Sequence, residues 1–420
     1  MWVLSFYLAP FTGDFLGVRN TVKRNVVFAL VVVLASLSLT TPGLAATPPK
    51  VGSTCTKLNQ VLAVTGSKFT CVRSGKKLVW KVSKSPVPVS GESKQLLAPT
   101  SFKNLVQNQA GISLTTWQKI HSEIVKNSDI PNNVEIVVGP HTIPDDPDPM
   151  LRIVEVRKLF SSFKIAKNVT IINGSYIDKG WSQDKLSTLC PQNQCGYDIS
   201  NEIAKQCNGD GQTCFGGVGF TNSVNGDGII FIGAANSTFS SDYYHKGPIE
   251  AHEFTHVIQK SQFTGKLGSL GFIPRWLVEG QAELNAVDFG FGESFEIAKS
   301  WRSKRVVALF KNQTSYSAEW IQTFLNPPTD STSPELLWSK WDGYSTDQLY
   351  SMGLLATEAL IAISNPSTPM QLFTEVAGGV SFQVAFQKIY AISWSDASNL
   401  LSQALSAELS YDFTKDFITN

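Results

Sequence analysis

The chain has 420 residues, 42% of them hydrophobic and 16% charged, a balance that supports a buried core and allows one large or two to three small domains. Its net charge of +1 carries no electrostatic footprint for nucleic acid or an anionic membrane surface, so neither is expected as a partner. The six cysteines fall into two even groups, as suits an oxidising compartment.

At the N-terminus, Arg19, Lys23 and Arg24 precede an apolar run from Val26 to Leu39, and small residues follow through Ala45 and Ala46. This order of basic, apolar and small residues is that of an export signal, so residues 1–46 are expected to be removed, with a translation start earlier than the signal needs. The protein is then secreted or held at the cell envelope. An uncleaved anchor is the alternative, although the run falls short of the about 20 apolar residues of a spanning helix. Residues 51–82 read as a small β-hairpin module: Phe69-Thr-Cys71-Val and Leu78-Val-Trp80 alternate on either side of a Ser74-Gly75 turn, and Cys55 staples the leading segment to Cys71. The module resembles a short unit with two cysteines and a closing Lys-Leu-x-Trp, found on many exported actinobacterial proteins. That resemblance leaves structural stapling and cell-wall association both open. Residues 83–100, with Pro86-Val-Pro88, read as a linker, and 101–420 as the main domain.

Within that domain, Ser113 to Lys126 has helical spacing, with Ser113 or Thr115 as cap and His121 on the outer surface. Val134–Val138 is a strand, residues 148–163 a helix and Asn168–Ile172 a second strand. The Gly- and Asn-rich stretch 189–227 is expected to be a long loop tied by Cys190, Cys195, Cys207 and Cys214. Four cysteines allow three pairings, which the sequence leaves open; their gaps fit a zinc knuckle poorly. A third strand begins at Gly228, and its end at Gly233, Ala234 and Ala235 is expected to offer a free edge to an extended peptide. An ordinary central strand is the competing reading of this apolar run.

The stretch Ala251-His252-Glu253-Phe254-Thr255-His256 holds His-Glu-x-x-His. Four residues apart on a helix, the two imidazoles share one face and can grip one Zn²⁺, while Glu253 beside them can take a proton from water. Downstream, Pro274-Arg-Trp-Leu-Val-Glu279-Gly-Gln-Ala-Glu283 sets two acids four apart among apolar residues. Buried carboxylates need a partner. Glu279 can complete a His-His-Glu ligand set, and Glu283 can accept the other ring N–H of His252. The bland alternative is a surface helix with solvated acids.

His252-Glu-x-x-His256 followed by Trp276-Leu-Val-Glu279-Gly resembles the gluzincin metallopeptidases, both thermolysin-like and aminopeptidase-type. The resemblance implies an α+β, zincin-like catalytic domain with a mixed sheet, active-site helices and a C-terminal helical lobe. It implies Glu279 as third zinc ligand and Glu283 as support for a ligand histidine. Tyr350-Ser-Met-Gly353 is similar to the Tyr-x-x-Gly of the aminopeptidase group, which implies Tyr350 as oxyanion donor, with Tyr244 and His245 as fallbacks. The sequence departs from that group at Gly233-Ala-Ala-Asn236, which lacks the acid that holds a substrate amino terminus. The expected activity is therefore a secreted zinc metallopeptidase acting on peptide or protein, with endopeptidase favoured over aminopeptidase. A cell-wall peptide hydrolase and a non-catalytic exported binding protein with a zincin fold are the alternatives.

Overall fold

A computed structural model describes residues 53–58, 61–64, 67–75, 77–83, 96–146, 148–196, 199–207, 213–214, 216–235, 248–290, 294–311, 313–326 and 333–410. The expected export signal, most of the expected linker, Asn236, Tyr244 and His245 lie outside them. No helix of the described residues is long and apolar enough to cross a membrane. The chain divides into two compact units, Met1–Ser93 and Lys94–Asn420.

The first unit is a three-stranded antiparallel sheet of β1 (Val61–Val64), β2 (Ser67–Ser74) and β3 (Lys77–Ser83), in that order. The expected hairpin is its β2–β3 half; β1 is an addition. Cys71 pairs opposite Trp80, and the Cys55–Cys71 disulfide closes over them. A sheet this small buries little apolar surface, so a covalent staple replaces part of a core.

The second unit carries α1 (Phe102–Leu105), α2 (Ile112–Lys126), β4 (Asn133–Val138), α3 (Pro149–Leu159), β5 (Asn168–Gly174), α4 (Lys179–Leu189), α5 (Ile199–Gln206), β6 (Gly217–Thr221) and β7 (Gly228–Gly233). A helical part follows: α6 (Pro248–Ser261), α7 (Arg275–Gly290), α8 (Phe295–Leu309), α9 (Ala318–Leu325), α10 (Pro334–Ser339), α11 (Thr346–Ala362), α12 (Thr368–Ala377), α13 (Phe382–Tyr390) and α14 (Trp394–Leu409). The class is α+β with a mixed sheet. Strand order is β4-β5-β7-β6, with β4, β5 and β7 parallel and β6 antiparallel to β7.

Two expectations about this sheet are corrected. The stretch 189–227 is not an irregular loop: it contains α5 and β6, with disulfides Cys190–Cys195 and Cys207–Cys214 that each close a short local loop. The expected substrate edge at Gly233, Ala234 and Ala235 is not an edge. β7 is paired on both sides, the Gly233 N–H donates to Gly216 O, the Ala234 N–H to Gly174 O and the Ala235 N–H to Asp145 Oδ2. Its run Ile229-Ile-Phe-Ile232 is buried on both faces, the usual composition of a central strand. The outer position belongs to β6.

The helical core forms around α6, α7 and α11. In α6 every residue but Lys260 is buried, and α7 and α11 are buried almost throughout. Helices enclosed on all sides must satisfy polar side chains internally. Thr255 and Ser261 donate back to the carbonyls of Ala251 and Val257, and Asn285 Nδ2 donates to Thr255 Oγ1 across the α6–α7 contact at 2.9 Å. Gln259 adds a second tie, Nε2 donating to Val278 O and Gln281 Oε1, each at 3.0 Å. These bonds fix the rotation of α7 against α6.

Glycines fix the approach of α7 to α11. A Cβ on Gly280 would lie 2.1 Å from the Gly353 carbonyl carbon, and one on Gly353 would lie 2.3 Å from Trp276 O. Both neighbours are backbone and cannot swing aside. We expect Gly280→Ala to cost about 1–3 kcal/mol or more from overpacking alone, read as a lowered urea midpoint; a midpoint equal to wild type would contradict a direct Gly280–Gly353 contact.

A candidate metal centre between three helices

His252 and His256 lie one turn apart on α6, and their Nε2 atoms approach to 3.1 Å. Glu279, in the first turns of α7, brings its Oε2 within 3.5 Å of His252 Nε2 and 3.3 Å of His256 Nε2. All three residues are buried or nearly so. Among the described residues this is the one group of three metal-ligand side chains whose donor atoms lie within 4.8 Å of one another. Donors held at about 2.0–2.1 Å on a tetrahedral ion are separated by about 3.3–3.4 Å along each edge. The three observed separations bracket that value.

The remaining ring nitrogens decide which atoms face the centre. His256 Nδ1 meets Gln259 Oε1 at 2.9 Å. Because Gln259 Nε2 is committed to two acceptors on α7, its oxygen must face the imidazole, so His256 Nδ1 is the donor. His252 Nδ1 faces Glu283 Oε2 at 3.4 Å, and a carboxylate only accepts. In the neutral rings both protons therefore sit on Nδ1. Two unprotonated Nε2 lone pairs then point at each other and at the Glu279 carboxylate, whose Oε2 is buried with no hydrogen-bond partner. Such a convergence of acceptors requires a cation. Without a metal, a proton takes that role. Burial disfavours the His252 imidazolium, but the Glu279 and Glu283 carboxylates outweigh it and push its pKa up to about 10. Burial likewise opposes ionisation of Glu279, yet His256 and His252 hold its carboxyl well below the ordinary range. A side-chain set of two imidazoles and a carboxylate, each oriented, fits a metal ion.

Glu283 is fully buried and carries a second partner, Arg305 of α8, whose Nε lies 2.5 Å from Glu283 Oε1. The guanidinium places a permanent positive charge against this acid, which also faces His252. Glu253 lines the cleft beside the centre, together with His252, Tyr350, Gly216 and Gly217. The cleft encloses about 520 Å³. The Tyr350 ring stacks on the His252 imidazole at 5.5 Å between centroids and 20° between planes. The charge of Glu279, then burial, keeps its phenol pKa well above 10, so the hydroxyl stays a donor. His121, expected on the surface, is instead half-buried against Trp117, the rings tilted at 33° with centroids 4.2 Å apart, and is not part of this group.

The edge strand presses onto the histidine helix through glycine. A Cβ on Gly217 would lie 2.8 Å from Glu253 Cγ, and one on Gly219 would lie 2.4 Å from Glu253 O and 3.2 Å from His256 Cβ. Gly216 and Gly233 form a hydrogen-bonded pair, so in the antiparallel alternation Gly217, Gly219 and Thr221 turn their N–H and C=O groups away from β7. Lys260 Nζ donates to the Gly219 carbonyl on that side. No described strand pairs with this edge.

The sequence singled out His252, Glu253, His256, Glu279, Glu283 and Tyr350, and the fold brings all six to one place. It missed Gln259, Arg305 and the glycines of β6. Gln259 was findable: three residues past His256, it shares the ligand face of the helix. Comparison with protein-family models, with curated proteins and with solved structures finds no match for this chain.

Proposed function

We propose that this protein is an exported, zinc-dependent peptidase of the gluzincin type, with zinc held by His252, His256 and Glu279. The observation that carries the reading is the convergence of two Nδ1-protonated imidazoles and one carboxylate on a single point, with Glu253 one residue from the first ligand. Two nitrogens and one oxygen leave a fourth position open, the pattern of catalytic rather than structural zinc. A bound zinc ion supplies Lewis acidity and lowers the pKa of a water toward about 7.

The protein's own groups do the rest. Glu253 accepts the proton of the attacking water and returns it to the leaving amine. Tyr350, kept protonated, donates to the oxygen that gains charge in the transition state. Gln259 and the Arg305–Glu283 pair hold the two imidazoles in orientation, so little reorganisation accompanies reaction. The open β6 edge offers backbone N–H and C=O groups to an extended peptide, a sequence-tolerant mode of binding. Because the edge runs past the cleft and carries no acid that would hold an amino terminus, internal cleavage is favoured over removal of terminal residues. The three disulfides suit an exported protein.

The test is hydrolysis of casein by purified protein. The expected result is cleavage that a chelator abolishes and one equivalent of zinc restores; cleavage indifferent to chelation would refute the assignment.

A further inference from the structure

One wall of the cleft is cationic. Trp301, Lys304 and Arg305 of α8, with Lys311 just beyond it, all line the space that holds His252, Glu253 and Tyr350. Lys304 and Arg305 follow Trp301 by three and four residues, which places these three on one face of the helix. Most of this charge is already answered. Arg305 pairs with Glu283 at 2.5 Å and Lys311 with Asp347 at 3.1 Å. The two charges of a zinc ion would be matched by Glu279 and Glu253. Lys304 is different. It is exposed, has no acid partner among the described residues, and its Nζ sits 3.6 Å from the centroid of the Trp301 ring. An aromatic face orients an ammonium without neutralising it. The cleft thus carries one unbalanced, pre-oriented positive charge beside its reactive centre.

Resting on the peptidase reading, we propose that Lys304, held on Trp301, is a specificity-determining residue that selects substrates placing a carboxylate against this wall. That carboxylate is either an aspartate or glutamate side chain near the scissile bond or the free carboxyl end of a short peptide. The chemistry is the same, a carboxylate accepting from an ammonium that the Trp301 face holds in place. Lys304 is solvent-reachable, so its contribution is modest and falls with added salt.

The experiment uses the zinc-loaded full chain and peptide mixtures with cut sites mapped by mass spectrometry. One mixture has both ends blocked and compares Glu, Gln and Lys at each position; a second leaves the carboxyl end free. Wild type is expected to cut Glu-bearing members about 5-fold faster than their Gln counterparts, the size of an ion pair of about 1 kcal/mol, with the gap closing at high salt. If the gap occurs only with free ends, the carboxyl terminus is the ligand; if it persists in blocked peptides, the side chain is. In Lys304→Glu the preference is expected to move to Lys-bearing members, and folding is checked by circular dichroism. Equal cutting of Glu, Gln and Lys members by an active, chelator-sensitive enzyme would overturn the role of Lys304 and leave the peptidase reading standing. Absence of any chelator-sensitive cut would remove both.

Discussion

Glu253→Gln is expected to bind zinc like wild type and to hydrolyse peptides about 10²- to 10⁴-fold more slowly, the range a positioned general base contributes. The substitution is nearly isosteric. Glutamine keeps the methylenes against which Gly217 packs, where an added Cβ would come within 2.8 Å of Glu253 Cγ, so the β6–α6 contact survives. It also leaves His252, His256 and Glu279 untouched, along with Gln259 and Glu283, which orient the rings. What is lost is the ability to take a proton from water. Zinc content by metal analysis and unfolding midpoint by calorimetry should both match wild type while turnover collapses. Turnover at the wild-type rate would mean that another group activates the water.

Glu279→Ala is expected to act one step earlier, on the metal itself. It removes the carboxylate that lies within 3.5 Å of both Nε2 atoms and leaves two ligands instead of three. Removing an oriented partner outside the ligand set commonly costs 10- to 100-fold in metal affinity, so loss of a ligand should cost at least about 100-fold. The effect is also visible in stability. Zinc at about 1,000 times its dissociation constant stabilises a folded binding state by about 4 kcal/mol. Wild type should therefore melt several degrees higher with zinc than with chelator, and Glu279→Ala should show no such difference. Because Glu279 is one of the acids that raise the His252 pKa, the metal-free variant should hold the His252 proton less tightly. Equal zinc-dependent shifts in the two proteins would exclude Glu279 as a ligand.

The two glycines next to the candidate site residues acquire a shared reason. Gly280 follows Glu279, and Gly353 lies one turn after Tyr350 on a different helix; in the fold they touch. Their contact lets α7 and α11 cross closely enough for the Glu279 carboxylate and the Tyr350 ring to reach His252. A motif read along the chain gives each glycine only a neighbour in sequence. The reason for it lies across a helix crossing, between residues more than seventy positions apart.

Much of the site was legible because its chemistry requires unusual residues at fixed spacing. Histidines four apart, with acids four apart on a second apolar helix, have few structural uses. The sheet was less legible for the opposite reason. β6 reads Gly217-Val-Gly-Phe-Thr221, and glycine within a strand ordinarily argues against one. Here glycine is present because the strand lies against the backbone of α6 at Glu253, a close approach that only the fold defines. The strand that follows, Gly228–Gly233, is a continuous apolar run with no alternation to mark a free edge, and it lies inside the sheet. Arg305 was invisible for a third reason: its partner Glu283 lies on another helix, and an arginine on a mixed helix carries no signal of its own.

The most direct test of the account is a map of the new amino termini released from an unstructured protein with both ends blocked, incubated with zinc-loaded protein and, in parallel, with chelator-treated protein. Internal cuts that vanish on chelation and return with zinc are the expected result. An intact substrate in the presence of protein that holds one zinc per chain would contradict it.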